Sequence, residues 1–233
     1  SITLEFNICP ESERAEIGKI LAKKVFEDEG RIRTGFLGTP LILHALSKSG
    51  HFDAAYTMLM RRKVMSWLYQ VDQKATTIWE RWDAIREDGS IHSGEMNTAS
   101  EDQQDASMIS FNHYAYGAVI DWVYRNVAGI APAAPGYREI SFAPRPAAGF
   151  TFANACVETP FGCASIDWSI NSDGLFAAKI TVPFGTSAVV SLPVTGSSQV
   201  YINGAKSANG ATLSYGDYDI TVTHPDVVSF VQA

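Results

Sequence analysis

The sequence predicts a mainly helical part followed by an antiparallel β-sandwich. Up to about residue 131, apolar residues recur at the spacing of an α-helix. After the segment AGIAPAAPGY at 128–137, apolar and polar residues alternate, and turn signals such as NSDG at 171–174 separate the runs. We therefore predict two domains, one over 1–131 and one over 132–233.

Five helices are expected in the first part. The first begins after Pro10, with acidic residues in its first turn, and ends at Gly30. The others are predicted over 40–48, 52–62, 66–72 and 110–128. Ser110 is the predicted N-cap of the last helix, whose apolar residues lie nearly all round, so we expect it to be buried.

Nine strands are expected in the second part. They are predicted near 138–143, 151–158, 163–171, 175–182, 187–192, 198–202, 211–215, 218–223 and 227–231. The turn TPFG at 159–162 sets the register of one hairpin, with Cys163 opposite Glu158 and Cys156 opposite Ser165. In that register one face of the hairpin is apolar and the other is mostly polar, as in half of a sandwich.

Composition excludes several classes of protein. The 233 residues carry a net charge of −7, and 46% are apolar, which argues against disorder, nucleic-acid binding and attraction to anionic membranes. No apolar run is long enough to cross a bilayer. The N-terminal stretch SITLEFNICPESER lacks the features of a signal peptide, and the sequence leaves cytoplasmic and exported locations both open.

The three cysteines do not indicate a metal centre. Cys9, Cys156 and Cys163 form no CxxC pair, so we expect neither a disulfide framework nor zinc. Cys156 and Cys163 are diagonal neighbours in the predicted hairpin, and we predict that their thiols are free. No carboxylate cluster indicates a catalytic metal, and no motif indicates a cofactor.

The stretch TTIWERWD at 76–83 places Glu80 between two tryptophans. One interpretation is an ion pair between Glu80 and Arg81, with both indoles buried in the core. The other is a sugar pocket in which the indoles stack on a pyranose while the carboxylate acts on a water or a hydroxyl. In an extended segment Glu80 and Trp82 share a face, whereas Trp79 points to the opposite side.

Three stretches together resemble the C-terminal part of bacterial-type α-L-rhamnosidases, glycoside hydrolase family 78. They are TGFLGTP at 34–40, TTIWERWD at 76–83 and FNHYAYGAV at 111–119. The later segments PGYREISFAPRP and VETPFGCASIDW resemble the C-terminal β-sandwich of that family. The resemblance implies the second half of an (α/α)6 barrel followed by this sandwich.

The resemblance also implies an inverting glycosidase that acts on rhamnose-containing glycosides. Inversion needs a general acid and a general base, and the family's base is the glutamate that corresponds to Glu80. The family's acid lies in an acidic, arginine-containing stretch early in the barrel, which this sequence lacks. The expected partner is therefore the missing N-terminal half of the barrel or another copy of the chain, and we expect the chain to be a fragment or one piece of a split enzyme.

The same resemblance suggests which residues bind the sugar. His113 corresponds to a substrate-contacting histidine, and a place near the start of the last helix would favour its neutral ring. Trp82 is the preferred indole because it shares a face with Glu80. Trp79, Phe36 and Trp67 are further candidates. The polar segment 92–109 is longer than in related sequences, and we expect it to form a surface loop near the mouth of the site.

Two alternatives to this enzyme remain open. A truncated relative could keep the sugar-facing wall and the sandwich and act as a carbohydrate-binding or scaffold protein, which predicts rhamnose binding without hydrolysis. Related (α/α)6 barrels also act on other deoxy-sugars or on uronic acids. The sequence shows no evident pair of basic residues for a uronate carboxylate, so a neutral sugar is preferred.

Overall fold

The computed structural model describes residues 1–91 and 109–232 of the chain. These residues form two compact units. Unit 1 takes the described residues of Ser1–Val119 and Phe230–Ala233, and unit 2 is Ile120–Ser229. No helix within the described ranges has both the length and the apolar character that a bilayer crossing requires.

Unit 1 contains the helices that the periodicity predicts. Their bounds are α1 Ile2–Glu5, α2 Glu11–Glu27, α3 Thr39–Lys48, α4 Phe52–Met60 and α5 Trp67–Asp72. Pro10 precedes α2, and Ser66 caps α5 by accepting a hydrogen bond from the Tyr69 N–H. Helix α1 was not predicted, because a single turn gives too short an apolar pattern to recognise.

The predicted helix over 110–128 is present only in part. A 3₁₀-helix spans Tyr114–Ala118, helix α6 spans Val119–Trp122, and a π-helix spans Val123–Ala128. Ser110 is therefore not the N-cap, and His113 directly precedes the first helical residue.

Backbone pairing explains why residues 110–113 are not helical. The N–H of Glu80 donates to the Ser110 carbonyl, and the N–H of His113 donates to the Ile78 carbonyl. The Thr77 hydroxyl donates to the Phe111 carbonyl. Because these groups are already hydrogen-bonded to the 77–80 segment, a helix there would gain little and would break these bonds.

Unit 2 contains two β-sheets. Strands β1 Ile130–Pro132, β2 Glu139–Phe142, β6 Ser187–Val190 and β9 Thr212–Leu213 form one sheet, in the order β1-β2-β6-β9. Strands β3 Phe152–Thr159, β4 Gly162–Ile170, β5 Phe176–Val182, β7 Val200–Ile202, β8 Ala205–Ser207 and β10 Gly216–Val222 form the other, in the order β3-β4-β5-β10-β7-β8. All pairings are antiparallel except that of β2 with β6.

A shared hydrophobic core joins the two sheets. Phe142 of β2 and Val190 of β6 are fully buried, together with Ile166 and Trp168 of β4. Buried and exposed residues alternate along β4 and β5, which is the pattern of a sheet with one solvated face. The antiparallel β-sandwich predicted from the alternation is thus confirmed.

The last predicted strand is absent. Residues 227–231 form no strand, and Val228 makes only an isolated bridge to Ala147. In unit 1, the Phe230 ring lies 5.9 Å from that of Tyr56, and the Val231 N–H donates to the Thr57 hydroxyl. The segment is therefore held by the Phe230 ring and by a backbone hydrogen bond to residues distant in sequence rather than by a sheet.

The β3–β4 hairpin has the predicted register, but the prediction of free thiols is wrong. Cys156 pairs with Ser165, and Glu158 pairs with Cys163. A disulfide joins Cys156 to Cys163, whose Cα atoms are 6.3 Å apart, while Cys9 is free. That separation lies within the range of protein disulfides, because the twist of a hairpin shortens one diagonal between its strands.

Candidate functional site

Three sequence motifs meet in unit 1. The segments 77–80 and 110–113 run side by side and exchange backbone hydrogen bonds. The indole N–H of Trp82 donates to the Thr34 carbonyl at 3.3 Å. The rings of Phe36 and His113 stack with centroids 4.4 Å apart. The stretches 34–40, 76–83 and 111–119 are thus neighbours in space although they are far apart in sequence.

Glu80 is held at both its backbone and its side chain. Its N–H donates to the Ser110 carbonyl, and its Oε2 accepts a hydrogen bond from the Ser110 N–H at 2.9 Å. Within residues 1–91 and 109–232, the other carboxylate oxygen has no hydrogen-bond partner. The half-buried carboxylate therefore has a fixed orientation and one oxygen able to accept a proton or a ligand hydrogen bond.

Arg81 forms an ion pair with Asp83. Its Nε lies 3.5 Å from Oδ1 of Asp83. The charge of Arg81 is therefore not dependent on Glu80 for compensation. An ion pair with Arg81, the structural interpretation of the TTIWERWD stretch, is not needed to explain why Glu80 occupies this position.

Most of the predicted sugar-binding side chains belong to one aromatic cluster. Phe36 contacts both His113 and Tyr116, with a centroid separation of 5.2 Å to Tyr116. Tyr116 stacks on Trp82 at 4.0 Å, and Trp82 meets Trp67 edge-on at 5.4 Å. The Trp67 indole N–H donates to the Tyr116 carbonyl at 2.9 Å. We call Phe36, His113, Tyr116, Trp82 and Trp67 the aromatic cluster.

Trp79 lies in a different environment. It is 2% exposed and packs with Tyr69 and Ala84, and its ring meets that of Phe111 edge-on at 5.5 Å. Its N–H donates to the Gln70 side-chain oxygen. The two indoles that flank Glu80 therefore belong to separate packing groups, and Trp82 is the one in the aromatic cluster.

Sequence reasoning missed Tyr116. This buried tyrosine contacts both Phe36 and Trp82. Its phenol is also influenced by the charges of Glu80, Arg81 and Asp83. Burial is the main cause that raises the pKa of Tyr116, the charge of Arg81 lowers it, and those of Glu80 and Asp83 raise it. The sequence does contain one clue. Tyr116 follows His113 by three residues, the spacing that places two side chains on the same face of the helix predicted over 110–128.

His113 offers an unsatisfied nitrogen. Its ring stacks on that of Phe36, and the centroid of the Tyr114 ring is 5.9 Å away. Its Nδ1 is buried and has no hydrogen-bond partner among the residues that the structure describes. A buried polar atom of this kind normally has a partner, so a bound polar ligand is one way to satisfy it.

An open cavity of about 760 Å³ lies beside these residues. Its lining comes from the same three stretches and is mostly apolar. The lining residues are Phe36, Leu37, Pro40, Thr77, Ile78, Asn112, Tyr114, Ala115, Gly117 and Ala118. Its volume is in the range of small-molecule sites, and the side chains of Asn112 and Thr77 supply polar groups at its wall.

The turn that carries Phe36 is built around two threonines. The Thr39 hydroxyl donates to the carbonyls of Thr34 and Gly35, and the two threonine hydroxyls lie 2.8 Å apart. A Cβ on Gly38 would lie 2.9 Å from the Thr34 side chain. A side chain at position 38 would therefore crowd Thr34, and this close approach rather than a positive φ accounts for the glycine.

Part of the predicted site lies outside the described residues. These are most of the predicted loop over 92–109 and its acidic residues, Glu95, Glu101, Asp102 and Asp105. Within the described ranges, one group of potential metal ligands has its donor atoms close together, and it lies in unit 2. It consists of Cys156, Glu158 and Cys163.

Two family models match the chain. The model described as the bacterial alpha-L-rhamnosidase 6 hairpin glycosidase domain matches residues 1–127. The model described as the bacterial alpha-L-rhamnosidase C-terminal domain matches residues 129–206.

Curated relatives and solved structures agree with these matches. The alpha-L-rhamnosidase of Formosa agariphila is 35% identical over 212 residues, which is 91% of this chain and 22% of the relative. That of Streptomyces avermitilis is 40% identical over 192 residues, which is 82% of this chain and 17% of the relative. This chain spans about a fifth of the length of these curated relatives.

The crystal structure of the Streptomyces avermitilis enzyme complexed with L-rhamnose matches with a TM-score of 0.82 and 35% identity, over 95% of this chain and 21% of that chain. The Aspergillus terreus alpha-L-rhamnosidase matches with a TM-score of 0.81 and 33% identity, over 96% of this chain and 23% of that one.

Proposed function

Since this chain belongs to the bacterial α-L-rhamnosidase family, we propose that it contributes the general base, Glu80, to the inverting hydrolysis of terminal α-L-rhamnose from glycosides. The observation that carries this proposal is the meeting of the three motifs around a half-buried carboxylate. One oxygen of that carboxylate is oriented by the Ser110 N–H, and the other has no protein partner among the described residues.

In the proposed reaction, Glu80 removes a proton from a water molecule as that water attacks the anomeric carbon. A general acid on the other side of the sugar protonates the departing oxygen, across a gap of roughly 6.5–9.5 Å between the two carboxyl groups. The Ser110 N–H donates to one oxygen of the Glu80 carboxylate and fixes its orientation, so that the other oxygen can accept the proton. The general acid is supplied from outside this chain.

Within the aromatic cluster, Phe36 and His113 are proposed to contact the sugar. Phe36 presents a half-exposed ring beside the cavity, and the His113 Nδ1 needs a hydrogen-bond partner. Trp82 and Trp67 are almost fully buried, and we propose that they set the positions of Tyr116 and Phe36 from behind. For Trp79, its separate packing supports a role in holding the 77–80 segment.

We further propose that unit 1 is covered by another part of a longer polypeptide or by a second copy of this chain. Ile2, Phe6 and Ile8 expose large apolar side chains near one another in sequence. Exposed apolar patches favour association. The curated relatives are about four to five times as long as this chain, which supports a covering segment that belongs to the same polypeptide.

The test is the substitution Glu80→Gln in the full natural polypeptide, whose activity is measured on an aryl α-L-rhamnoside. We expect kcat to fall by about 10²–10⁴-fold, since a positioned base contributes on that order. Glutamine keeps an oxygen acceptor for the Ser110 N–H, so the fold should persist. The exposed Glu16 on α2 offers a matched control, and Glu16→Gln should leave kcat unchanged.

Two supporting measurements complete this test. The first is the intact mass of the natural protein. A mass above the 25.4 kDa of this chain would mean that further polypeptide is present, which could supply the general acid. NMR of the first-formed sugar should show the inverted anomer. Ordinary turnover in the Glu80→Gln protein would overturn the proposed role. Rhamnose binding without hydrolysis would favour a carbohydrate-binding protein instead.

A further inference from the structure

The outer face of the β3–β4 hairpin carries three potential metal ligands. Glu158 faces Cys163 across the strand pair, and Cys156 lies two residues before Glu158 on the same side of β3. The Cys156 Sγ lies 3.9 Å from the Glu158 carboxylate. The donor atoms of all three residues lie within 4.8 Å of one another. This group lies in unit 2 and has no part in the site described above.

These three side chains are accessible from solvent. Cys156 and Glu158 are exposed, and Cys163 is half-buried. In the structure the two sulfurs are joined as a disulfide, which leaves them unable to bind a metal as thiolates. Because Cys156 is exposed among the described residues, a small reductant has access to the bond.

We propose that the reduced hairpin binds a thiophilic divalent cation, Zn²⁺ or Cd²⁺, through Cys156, Cys163 and Glu158. Two thiolates and one carboxylate are donors that Zn²⁺ accepts, and solvent supplies the fourth position. In the oxidised hairpin only the carboxylate remains as a ligand, so the disulfide abolishes the site. Metal binding is thereby linked to the redox state of this one cysteine pair.

The backbone geometry suits both states. Tetrahedral zinc with bonds of about 2.3 Å to sulfur holds two thiolates about 3.8 Å apart. The Cα atoms of the cysteines are 6.3 Å apart on paired strands, so rotation of the side chains can separate the sulfurs without moving the strands. The Glu158 side chain is long enough to follow, since it already lies beside Cys156.

The chemistry balances with a phosphine as the reductant. The phosphine attacks one sulfur and breaks the S–S bond, and water then converts it to the phosphine oxide. That water gives its oxygen to phosphorus and its two hydrogens to the two cysteine sulfurs. Binding of one divalent cation then releases two protons from the thiols, which makes the affinity rise with pH.

The experiment titrates Cd²⁺ into reduced protein and follows the ultraviolet charge-transfer absorption of cadmium thiolate. Every sample carries Cys9→Ser, which removes the free cysteine of unit 1. The protein is reduced with tris(2-carboxyethyl)phosphine, and circular dichroism checks that it stays folded. We expect saturation at one equivalent, displacement by Zn²⁺, and no absorption change in the oxidised protein.

Single variants then identify the ligands. Glu158→Gln should weaken Cd²⁺ binding by at least about tenfold, because loss of even an outer partner of a metal ligand costs about 10–100-fold. Cys156→Ser and Cys163→Ser should remove the one-equivalent phase. Asp167→Asn is the matched control, since it removes an exposed negative charge from the same face of β4 without removing a ligand.

Three results would overturn the proposal. The first is a Glu158→Gln protein that binds Cd²⁺ as tightly as its parent. The second is a one-equivalent phase that survives loss of either cysteine. The third is a disulfide that can be reduced only when the protein unfolds, because the site could then never form in the folded hairpin.

Discussion

At the scale of single residues, Trp168 shows how one side chain combines two kinds of interaction. It is fully buried between the sheets, stacks on Phe176 at 5.7 Å, and donates its indole N–H to the Val127 carbonyl at 3.0 Å. Burying an indole without a partner for its N–H would be costly, and this bond removes the cost. Phe152, in contrast, is 70% exposed on β3.

We therefore predict that Trp168→Ala lowers the free energy of unfolding by about 3–5 kcal/mol, as expected when a buried aromatic side chain is replaced by alanine. The matched Phe152→Ala should change it by less than about 0.5 kcal/mol, because the ring contributes little buried area. Urea unfolding of both variants measures the difference. Equal losses in the two proteins would contradict the assigned packing.

At the scale of elements, the stretch that follows His113 changes its helical form twice. It passes from a 3₁₀-helix through a short α-helix to a π-helix, which ends at Gly129. Gly129 has a φ of +84°, and its N–H donates to the Tyr124 carbonyl. A Cβ at this position would lie 2.2 Å from the backbone nitrogen of Pro144, so only glycine fits between the helix end and the β2 exit.

Gly129→Ala is predicted to be strongly destabilising. The left-handed conformation alone costs about 1–2 kcal/mol for a non-glycine residue, and the clash with Pro144 adds about 1–3 kcal/mol or more. Gly136→Ala separates these effects, since Gly136 has a φ of +68° but open space around its Cβ position.

The measurement is the midpoint of urea unfolding for the two glycine variants and the parent. Gly136→Ala should show only the conformational cost, and Gly129→Ala should unfold at clearly lower urea. Similar midpoints for both variants would mean that the backbone near Pro144 can move away, and the close approach would then not explain the glycine.

At the scale of the whole molecule, the chain has two units with separate cores. The sandwich core includes Ala128 and Ile130, and Trp168 is bonded to Val127. The sequence places the domain boundary between 131 and 132, where the period of the apolar residues changes. Val127, Ala128 and Ile130 lie before that point, although they contact residues of the sandwich.

Two polypeptides test where the sandwich begins. We expect residues 120–229 to unfold cooperatively, and residues 132–229 to unfold at a lower temperature or without a sharp transition. The shorter piece lacks Ile130 and Ala131 of strand β1 and the Val127 carbonyl to which the Trp168 indole donates. Thermal unfolding followed by circular dichroism distinguishes the two outcomes. Equal transition temperatures would support the boundary at 132.

Parts of the candidate site could be predicted from sequence, and others could not. Glu80 and His113 stand out because their motifs are recognisable along the chain. The different environments of Trp79 and Trp82 could not be predicted. An alternating pattern shows that two side chains point to opposite faces, but it does not show which residues each side chain contacts. Tyr116 was missed because its partners, Phe36 and Trp82, come from two other segments.

Local patterns in the sequence by themselves determined helices α2 to α5 and the register of the β3–β4 hairpin. A helical stripe, a cap or a four-residue turn acts over a few residues, so its effect can be read along the chain. Only the tertiary structure decided that 110–113 is not helical, that 227–231 is no strand, and that Cys156 meets Cys163 as a disulfide. In each case the deciding contact joins residues on different segments of the chain, and local sequence patterns do not show which segments will meet.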